Sequence, residues 1–457
     1  MDSRSGGRAL APVLVATTLW TGCAARGGEY EPARVATLDA PGPTGDAPAS
    51  GEDAALTAPV LDRASYVRAV LRRNPSVEAA RAGWRAAVAR EKQAGTLADP
   101  TIGVELAPLS LGSGSARLGY VVEVSQRLPW PGKRSLEASA ARAEADAQAA
   151  DYEAARLDLA LAAALLFDDY YVADRSLAIN AHHVALMRAM HAAATAQVES
   201  GRGSAQDALQ AEFELSHMEH DAIMLASQRD VTRAEMNELL HRAPELPLPP
   251  PPEQLEGGSD LGPADAARLQ SEAGGRRPDI AALRRRATAQ QLRADRAARD
   301  AFPDLTLSTS YNSMWDMPEH RWMVGLSFDV PLQSQGRRGA AEEAAAMREQ
   351  LEAEAARMGD AARTAIVVAL RRLEESEHVV TLYRERLVPL ARSRIEAARA
   401  AFAASQGSFS AALDAEKTLR GAELDAELAG VDHDRRRAEL DRAVGRVPGL
   451  EDGGEGR

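Results

Sequence analysis

The 457-residue chain carries 54 Lys and Arg against 67 Asp and Glu, a net charge of −13. This argues against a nucleic-acid partner, because such binding rests on neutralised phosphates. Apolar residues make up 45% and exclude a wholly disordered chain, yet aromatics are only 4% and much of the apolar content is alanine. Alanine favours helix but buries little surface, so the composition predicts long, closely packed helices instead of one broad globular core.

At the start, Arg4 and Arg8, an apolar run over residues 9–20 and then Thr21-Gly22-Cys23 have the order of a secretory signal peptide, residues 1–22. The run is too short to cross a bilayer as a helix. It resembles a bacterial lipoprotein signal, which implies that Cys23 is lipidated and becomes the new N-terminus. Trp20 stands where such signals usually carry leucine, and Leu19 lies one position further away. Ala24, in place of an aspartate, resembles lipoproteins sorted to the outer membrane. A plain signal peptide with an incidental cysteine is the alternative. Cys23 is the sole cysteine, so no intramolecular disulfide is possible. Residues 23–60, rich in Gly, Pro, Ala and Asp, read as a lipidated flexible tether.

The rest of the chain is written twice. Asn74-Pro75-Ser76-Val77 corresponds to Arg277-Pro278-Asp279-Ile280, and Asp99-Pro100-Thr101 to Phe302-Pro303-Asp304, both at an offset of 203. Gly203-Ser204 corresponds to Gly407-Ser408, and Leu209-x-x-Glu212 to Leu413-x-x-Glu416, at an offset of 204. A register held over that distance marks two copies of one unit, residues 61–246 and 264–446. A Pro-rich linker at 247–263, with Pro247 and Pro249 to Pro252, reads as a stiff spacer, with a proline-recognition ligand as the alternative. Residues 447–457 read as a disordered tail.

Each copy predicts a helix opened by Pro75 or Pro278, two strands, a very long helix, a glycine-marked turn and a second long helix. In the strands, Ile102, Val104 and Leu106 alternate with Gly103 and Glu105, and Leu118, Tyr120, Val122 and Val124 with Gly119, Val121, Glu123 and Ser125. Leu305 and Leu307 alternate with Thr306 and Ser308, and Trp322, Val324, Leu326, Phe328 and Val330 with Met323, Gly325, Ser327 and Asp329. A period of two with one greasy and one small or polar face suits a tilted membrane strand between lipid and a lumen.

Residues 133–200 hold no proline and no internal glycine, and residues 337–406 hold one proline, Pro389, and two glycines, Gly339 and Gly359. Such helices reach roughly 100 Å at the α-helical rise. Leu165, Val172, Ile179 and Leu186 recur every seventh residue, as do Tyr170, Leu177 and Val184, and Ile366, Leu373, Val380 and Leu387. Heptads predict coiled-coil packing, and two stripes on one helix predict neighbours on both sides. The fold expected is therefore mainly α with a membrane β part. Four strands cannot close a barrel in lipid, where about eight are needed, so copies must associate. Physics alone does not choose between two copies and three.

The segments Gln126-Arg127-Leu128-Pro129-Trp130-Pro131-Gly132-Lys133-Arg134 and Val330-Pro331-Leu332-Gln333-Ser334-Gln335-Gly336-Arg337-Arg338, with Arg277-Pro278-Asp279-Ile280 and the paired long helices, look like the TolC family of outer-membrane efflux proteins. The likeness covers residues of about 62 to 446, and the signal makes it look like the lipidated branch. It implies a homotrimer with a 12-stranded β-barrel, four strands from each protomer. The barrel continues as a long α-helical coiled-coil tunnel in the periplasm. The implied function is the passive exit duct of a tripartite efflux pump for small molecules or metal ions. Its implied partners are outer-membrane lipid, a periplasmic adaptor (membrane fusion) protein and an inner-membrane pump, proton-driven in such systems. A type I protein-secretion duct shares this fold, and a periplasmic coiled-coil adaptor fits two tandem copies less well.

The turns at Gly201-Arg202-Gly203 and Ser405-Gln406-Gly407 would form the periplasmic end, where the resemblance implies the closed gate and the adaptor contact. Asp414 matches a family tip carboxylate, while Ala411 stands where a second acid is common. In the first copy Asp207 takes the place of Ala411 and Gln210 that of Asp414. Each copy keeps one acid, and in a trimer Asp207 and Asp414 would form two carboxylate rings favouring cations. The alternative is two solvated acids that stabilise helix starts. Met314, Met317, His320 and Met323 would suit a soft metal ion, against the alternative of an incidental surface loop. No cofactor is implied. No metal-protease spacing, phosphate loop or nucleophile triad is present, so the reading is not an enzyme.

Overall fold

The computed structural model describes residues 54–112, 114, 117–201, 203–255, 266–404 and 406–450. The signal peptide, Cys23, most of the tether, part of the Pro-rich linker and residues 451–457 lie outside the described residues. The chain is already helical at α1 (Ala54–Thr57), where Leu56 is buried, so the expected tether stops short of residue 60. Helix α2 (Arg63–Arg73) follows, capped by Asp62, which accepts from the Ser65 N–H at 2.7 Å. Helix α3 (Pro75–Ala94) is capped by Asn74, which accepts from the Ser76 N–H, and has Pro75 at its first position. The residue before a proline is pushed to extended backbone, so the helix breaks at Asn74. One helix was expected here and two are observed, and the same break at Arg277 separates the later pair.

Strand β1 (Thr101–Leu106) and strand β2 (Tyr120–Leu128) lead into α4 (Lys133–Glu199), an uninterrupted helix of 67 residues, and α5 (Ala205–Leu239). After the linker come α6 (Ala266–Arg276), α7 (Pro278–Arg299), β3 (Leu305–Asn312) and β4 (Trp322–Phe328). Then follow α8 (Ser334–Leu382), α9 (Val388–Ala403) and α10 (Phe409–Val444). Leu118 and Gly119 precede β2 and Asp329 and Val330 follow β4, so these four expected strand residues lie outside the strands, while β3 runs four residues further than the alternation suggested. Among the described residues no helix is long and apolar enough to cross a membrane.

The strands form one antiparallel sheet in the order β1-β2-β3-β4. Facing pairs Ile102–Val124, Val104–Val122, Leu128–Leu305, Leu307–Leu326 and Thr309–Val324 place the apolar side chains on one face. Gly103–Glu123, Ser125–Ser308, Ser310–Met323 and Thr306–Ser327 share the other face. The apolar face is bare: Val324 is 80% exposed, Ile102 69% and Trp322 67%. At one end Tyr120, Tyr311 and Trp322 form an aromatic row, and at the helix end Trp130 stacks on Phe302 at 5.4 Å.

The helices pack through small residues. Ala140, Ala147, Ala150, Ala160, Ala163 and Ala164 are buried along α4 and let neighbours approach closely. Ion pairs fix the flanks: Arg286 of α7 reaches Asp151, Arg296 reaches Glu137 at 3.1 Å, and Arg442 of α10 reaches Asp158 at 2.6 Å. A core of Tyr66, Val67, Val70, Phe167, Met236 and Leu240 joins α2, α4 and α5. The described part of the Pro-rich stretch is pinned to it: Leu61 N–H donates to Pro250 O at 2.9 Å and Tyr170 Oη to Pro249 O at 3.2 Å. The stretch is therefore a packed strap there, not a free spacer, and Val447 and Leu450 of the expected tail also pack on this core.

The second long helix differs from the first. Tyr383–Leu387 is a π-turn, and Pro389 follows it. Proline offers no N–H to the carbonyl four residues earlier and its ring crowds that carbonyl, so the wider turn relieves both faults. The extra residue per turn rotates the remainder of the helix. Ile366 and Leu373 are buried, Val380 is half-buried and Leu387 is exposed, so the expected heptad line leaves the core at the π-turn.

Gly132 opens α4 with φ +92°, and a Cβ there would lie 2.0 Å from Arg299 Nη1, which donates to Pro131 O at 3.0 Å. Gly359, inside α8, has open space around it. Gly132→Ala is expected to destabilise the chain by about 1–3 kcal/mol, and Gly359→Ala to stabilise it by about 0.5–1 kcal/mol. Thermal melts of the two variants in detergent solution, compared with the unsubstituted chain, check both signs.

Candidate functional site

The two interhelical turns close in the same way. The Gly203 N–H donates to Gln197 O at 2.9 Å, and the Gly407 N–H to Ala401 O at 3.1 Å, each reaching back six residues to tie off the long helix. A Cβ on Gly203 would meet Gln197 Cβ at 2.8 Å and one on Gly407 would meet Ala401 Cβ at 3.0 Å, so both places need the missing side chain. Gly201 has φ +68°, a left-handed backbone suited to glycine. Ser204 and Ser408 then cap α5 and α10, accepting from the Gln206 and Ala411 N–H groups.

The turns belong to one packed end. Met187, Met190 and Ala194 of α4, Ala211 and Met218 of α5, and Phe409, Ala412 and Leu413 of α10 form a buried cluster. Phe402 meets Phe409 edge to face at 5.5 Å, and Gln197 Nε2 donates to Phe402 O at 3.4 Å. Asp207 lies in the first turn of α5, where a carboxylate is favoured by the helix dipole, and has no side-chain partner among the described residues. Asp414 sits beyond the first turn of α10 and is paired with Arg394 of α9, whose Nη1 also meets Thr418 Oγ1 at 3.1 Å. Of the two acids, Asp207 alone lies in the first turn of its helix.

Sequence reasoning missed the buried charges behind these turns. His183 of α4 and Glu416 of α10 are both fully buried. His183 Nδ1 lies 2.9 Å from Glu416 Oε1 and Nε2 lies 3.1 Å from Glu423 Oε2. Arg392 of α9 donates to Glu423 Oε1 at 2.9 Å, so the network joins three helices. Burial alone would lower the imidazole pKa, but the two carboxylates on its two nitrogens raise it to about 9, which favours the doubly donating imidazolium form. Glu423 is lowered to about 2, chiefly by the hydrogen bond from His183 and against the effect of burial. Glu416 Oε2 is buried without a partner among the described residues. The spacing of Asn180, His183, Met187, Met190 and Ala194 is a heptad line, and all five are buried. Two polar members hid it from an apolar pattern. A second buried acid, Asp168, pairs with Arg63 at 2.8 Å, and burial raises it to about 7 despite that cation.

The methionines between β3 and β4 do not share one setting. Met314 packs over Gly119 and Met323 lies on the polar face of the sheet beside Ser310. His320 meets the edge of Trp315 at 6.1 Å, and Met317 is exposed.

No sequence-family model matches the chain, and no curated protein matches it in sequence. Solved structures match it in fold. The outer-membrane channel OprN is 19% identical with a TM-score of 0.70, over 87% of this chain and 92% of that one. CusC, whose structures concern folding and transmembrane channel formation, is 16% identical with a TM-score of 0.71, over 84% and 92%. The outer membrane protein VceC of Vibrio cholerae is 17% identical with a TM-score of 0.69, over 84% and 96%. The chain has the fold of these proteins.

His183 binds its proton more tightly folded than unfolded. Its stabilisation is thus complete below about pH 6.5 and is lost as pH rises through about 9. Asp168 also loses its contribution with rising pH, but between about 4 and 7, so the interval above pH 7 isolates the histidine. The melting temperature of the unsubstituted chain is expected to fall between pH 7 and 9.5. His183→Gln is expected to lower stability at pH 7 by up to roughly 3–5 kcal/mol and to flatten that fall. Circular-dichroism melts across the interval check this, and equal slopes in the two proteins would contradict it.

Proposed function

We propose that this chain is an outer-membrane efflux channel of the TolC family, built from two copies of one unit. The observation that carries the reading is the four-stranded sheet with one bare apolar face, one polar face and two unpaired edges. An open edge in hydrocarbon leaves backbone groups unsatisfied, and edges in water invite aggregation, so β1 of one copy is read as pairing with β4 of the next. Three copies supply 12 strands, the polar face lines a pore, and the long helices continue it as a periplasmic tunnel. The twofold repeat is supported by element starts: α3 and α7 begin 203 residues apart, and α5 and α10 begin 204 apart.

Apolar side chains left bare on the helices fit the same assembly. Phe213 is 67% exposed and Ile223 69% on α5, and Leu390 is 59% exposed on α9, surfaces that a neighbouring copy would cover. Leu209, 65% exposed beside the turn at Gly201 and Gly203, and the matching turn at Gly407 would receive a periplasmic adaptor. Through it a proton-driven inner-membrane pump would pass small molecules or metal ions. Cys23 would carry the lipid anchor in the outer membrane. Asp207 and Asp414 would form the periplasmic gate, with Arg394 holding Asp414 within the protomer.

Two measurements test this reading. Outer-membrane fractions are expected to yield a trimer band in gels that dissociates on heating, and recovery as a soluble periplasmic monomer would overturn the assignment. In planar bilayers, Asp207→Asn with Asp414→Asn is expected to raise single-channel conductance or to weaken cation selectivity several-fold, roughly the effect of removing a charge ring. Unchanged conductance and selectivity would remove the gate assignment while leaving the channel in place.

A further inference from the structure

The junction between the sheet and the long helices has an excess of positive charge that the chain itself does not use. Its acids are taken up. Asp304 meets Lys133 at 2.8 Å and Arg127 at 2.9 Å, Asp300 meets Lys133 at 3.3 Å, and Asp329 lies 3.8 Å from Arg127. Arg134 at the start of α4 and Arg337 and Arg338 at the start of α8 have no partner among the described residues. Against these three cations the strand ends leave one acid, Asp99, without a partner among the described residues, and two more such acids, Glu342 and Glu343, lie a turn further along α8. The opposite end of the sheet shows no such excess: its loops, 107–119 and 313–321, carry Arg117 and Arg321 against Asp316 and Glu319.

The position of these cations matters as much as their number. They lie just past the edge of the bare apolar face. Leu128 ends β2 on that face, and Val330 and Leu332 extend apolar surface beyond β4 with 61% and 84% exposure before Arg337 is reached. Trp130 and Phe302 stack at the same level, the kind of aromatic pair that settles at the boundary between hydrocarbon and headgroups. Apolar surface, then aromatic rings, then free guanidinium groups is the order in which a leaflet presents acyl chains, carbonyls and phosphates.

We propose that Arg134, Arg337 and Arg338 form a binding surface for the headgroups of anionic glycerophospholipid in the leaflet on the helix side of the sheet. The guanidinium fork matches phosphate oxygens, and cations near an anionic surface are drawn to it. The surface rests on the membrane-barrel reading of the sheet and adds a lipid preference to it. The two clusters stand 204 residues apart in the chain, Arg134 matching Arg338, so each half of the protomer contributes to the surface.

Trp130 is placed to report on it. The full chain is reconstituted in phosphatidylcholine vesicles containing either brominated phosphatidylglycerol or brominated phosphatidylcholine at equal mole fraction. The Trp130 contribution is taken as the difference from a Trp130→Phe variant. At low salt phosphatidylglycerol is expected to quench it at least about twofold more, a preference that weakens as salt rises. The variant Arg134→Gln with Arg337→Gln and Arg338→Gln, which breaks no contact within the described chain, is expected to melt like the unsubstituted protein and to lose the preference. Equal quenching by the two lipids, or a preference kept by the triple variant, overturns the lipid surface and leaves the barrel reading intact. Quenching by neither lipid overturns both.

Discussion

A backbone amide removed from water must find a partner, and the sheet of this chain states that problem without solving it. Four strands satisfy one another in the middle, but among the described residues β1 and β4 each keep a free side and nothing covers the apolar face between them. A soluble domain would lay a helix over such a face. Here the helices begin at the end of the sheet and run away from it, held there by Gly132, Lys133 and Asp304. The closure with other copies of the chain proposed above would satisfy both edges together.

The helical part answers a different demand. Long helices packed side by side leave little interior between them, so each buried side chain must be small or matched. Along α4 the buried positions near the sheet are mostly alanines, and the packing there is completed by ion pairs to α7 and α10. Toward the turns the interior widens enough for methionine and phenylalanine, and it also admits His183 with two carboxylates. A buried ion set of this kind contributes less net stability than apolar packing would, but it tolerates few alternative alignments of the helices that carry it. It therefore acts on register, which in a heptad array apolar residues alone leave loosely defined.

Much of this was legible in the sequence because it rests on local periods. The alternation in Ile102-Gly103-Val104 and in Trp322 to Phe328, the absence of proline over residues 133–200, and the glycines at 203 and 407 each dictate structure through neighbours a few residues away. Helix α2 and the π-turn were missed because each depends on a conformational conflict at a proline, where the pattern gives the break but not how the chain resolves it. His183 was missed because its meaning lies with Glu416 and Glu423, more than two hundred residues distant, and no period connects them. The pairing of Asp414 with Arg394 was hidden for a related reason: it crosses between two helices whose relative rotation is set by the turn between them.

The π-turn at Tyr383–Leu387 makes the two halves of the chain mechanically unequal. Helix α4 is a continuous rod, whereas its counterpart is a rod with a joint partway along, α8 above and α9 below. Any closed ring of these chains would alternate stiff staves with jointed ones, and bending strain would collect at the joints while the stiff staves keep their line. One proline with its widened turn thus gives the two long helical rods different compliance.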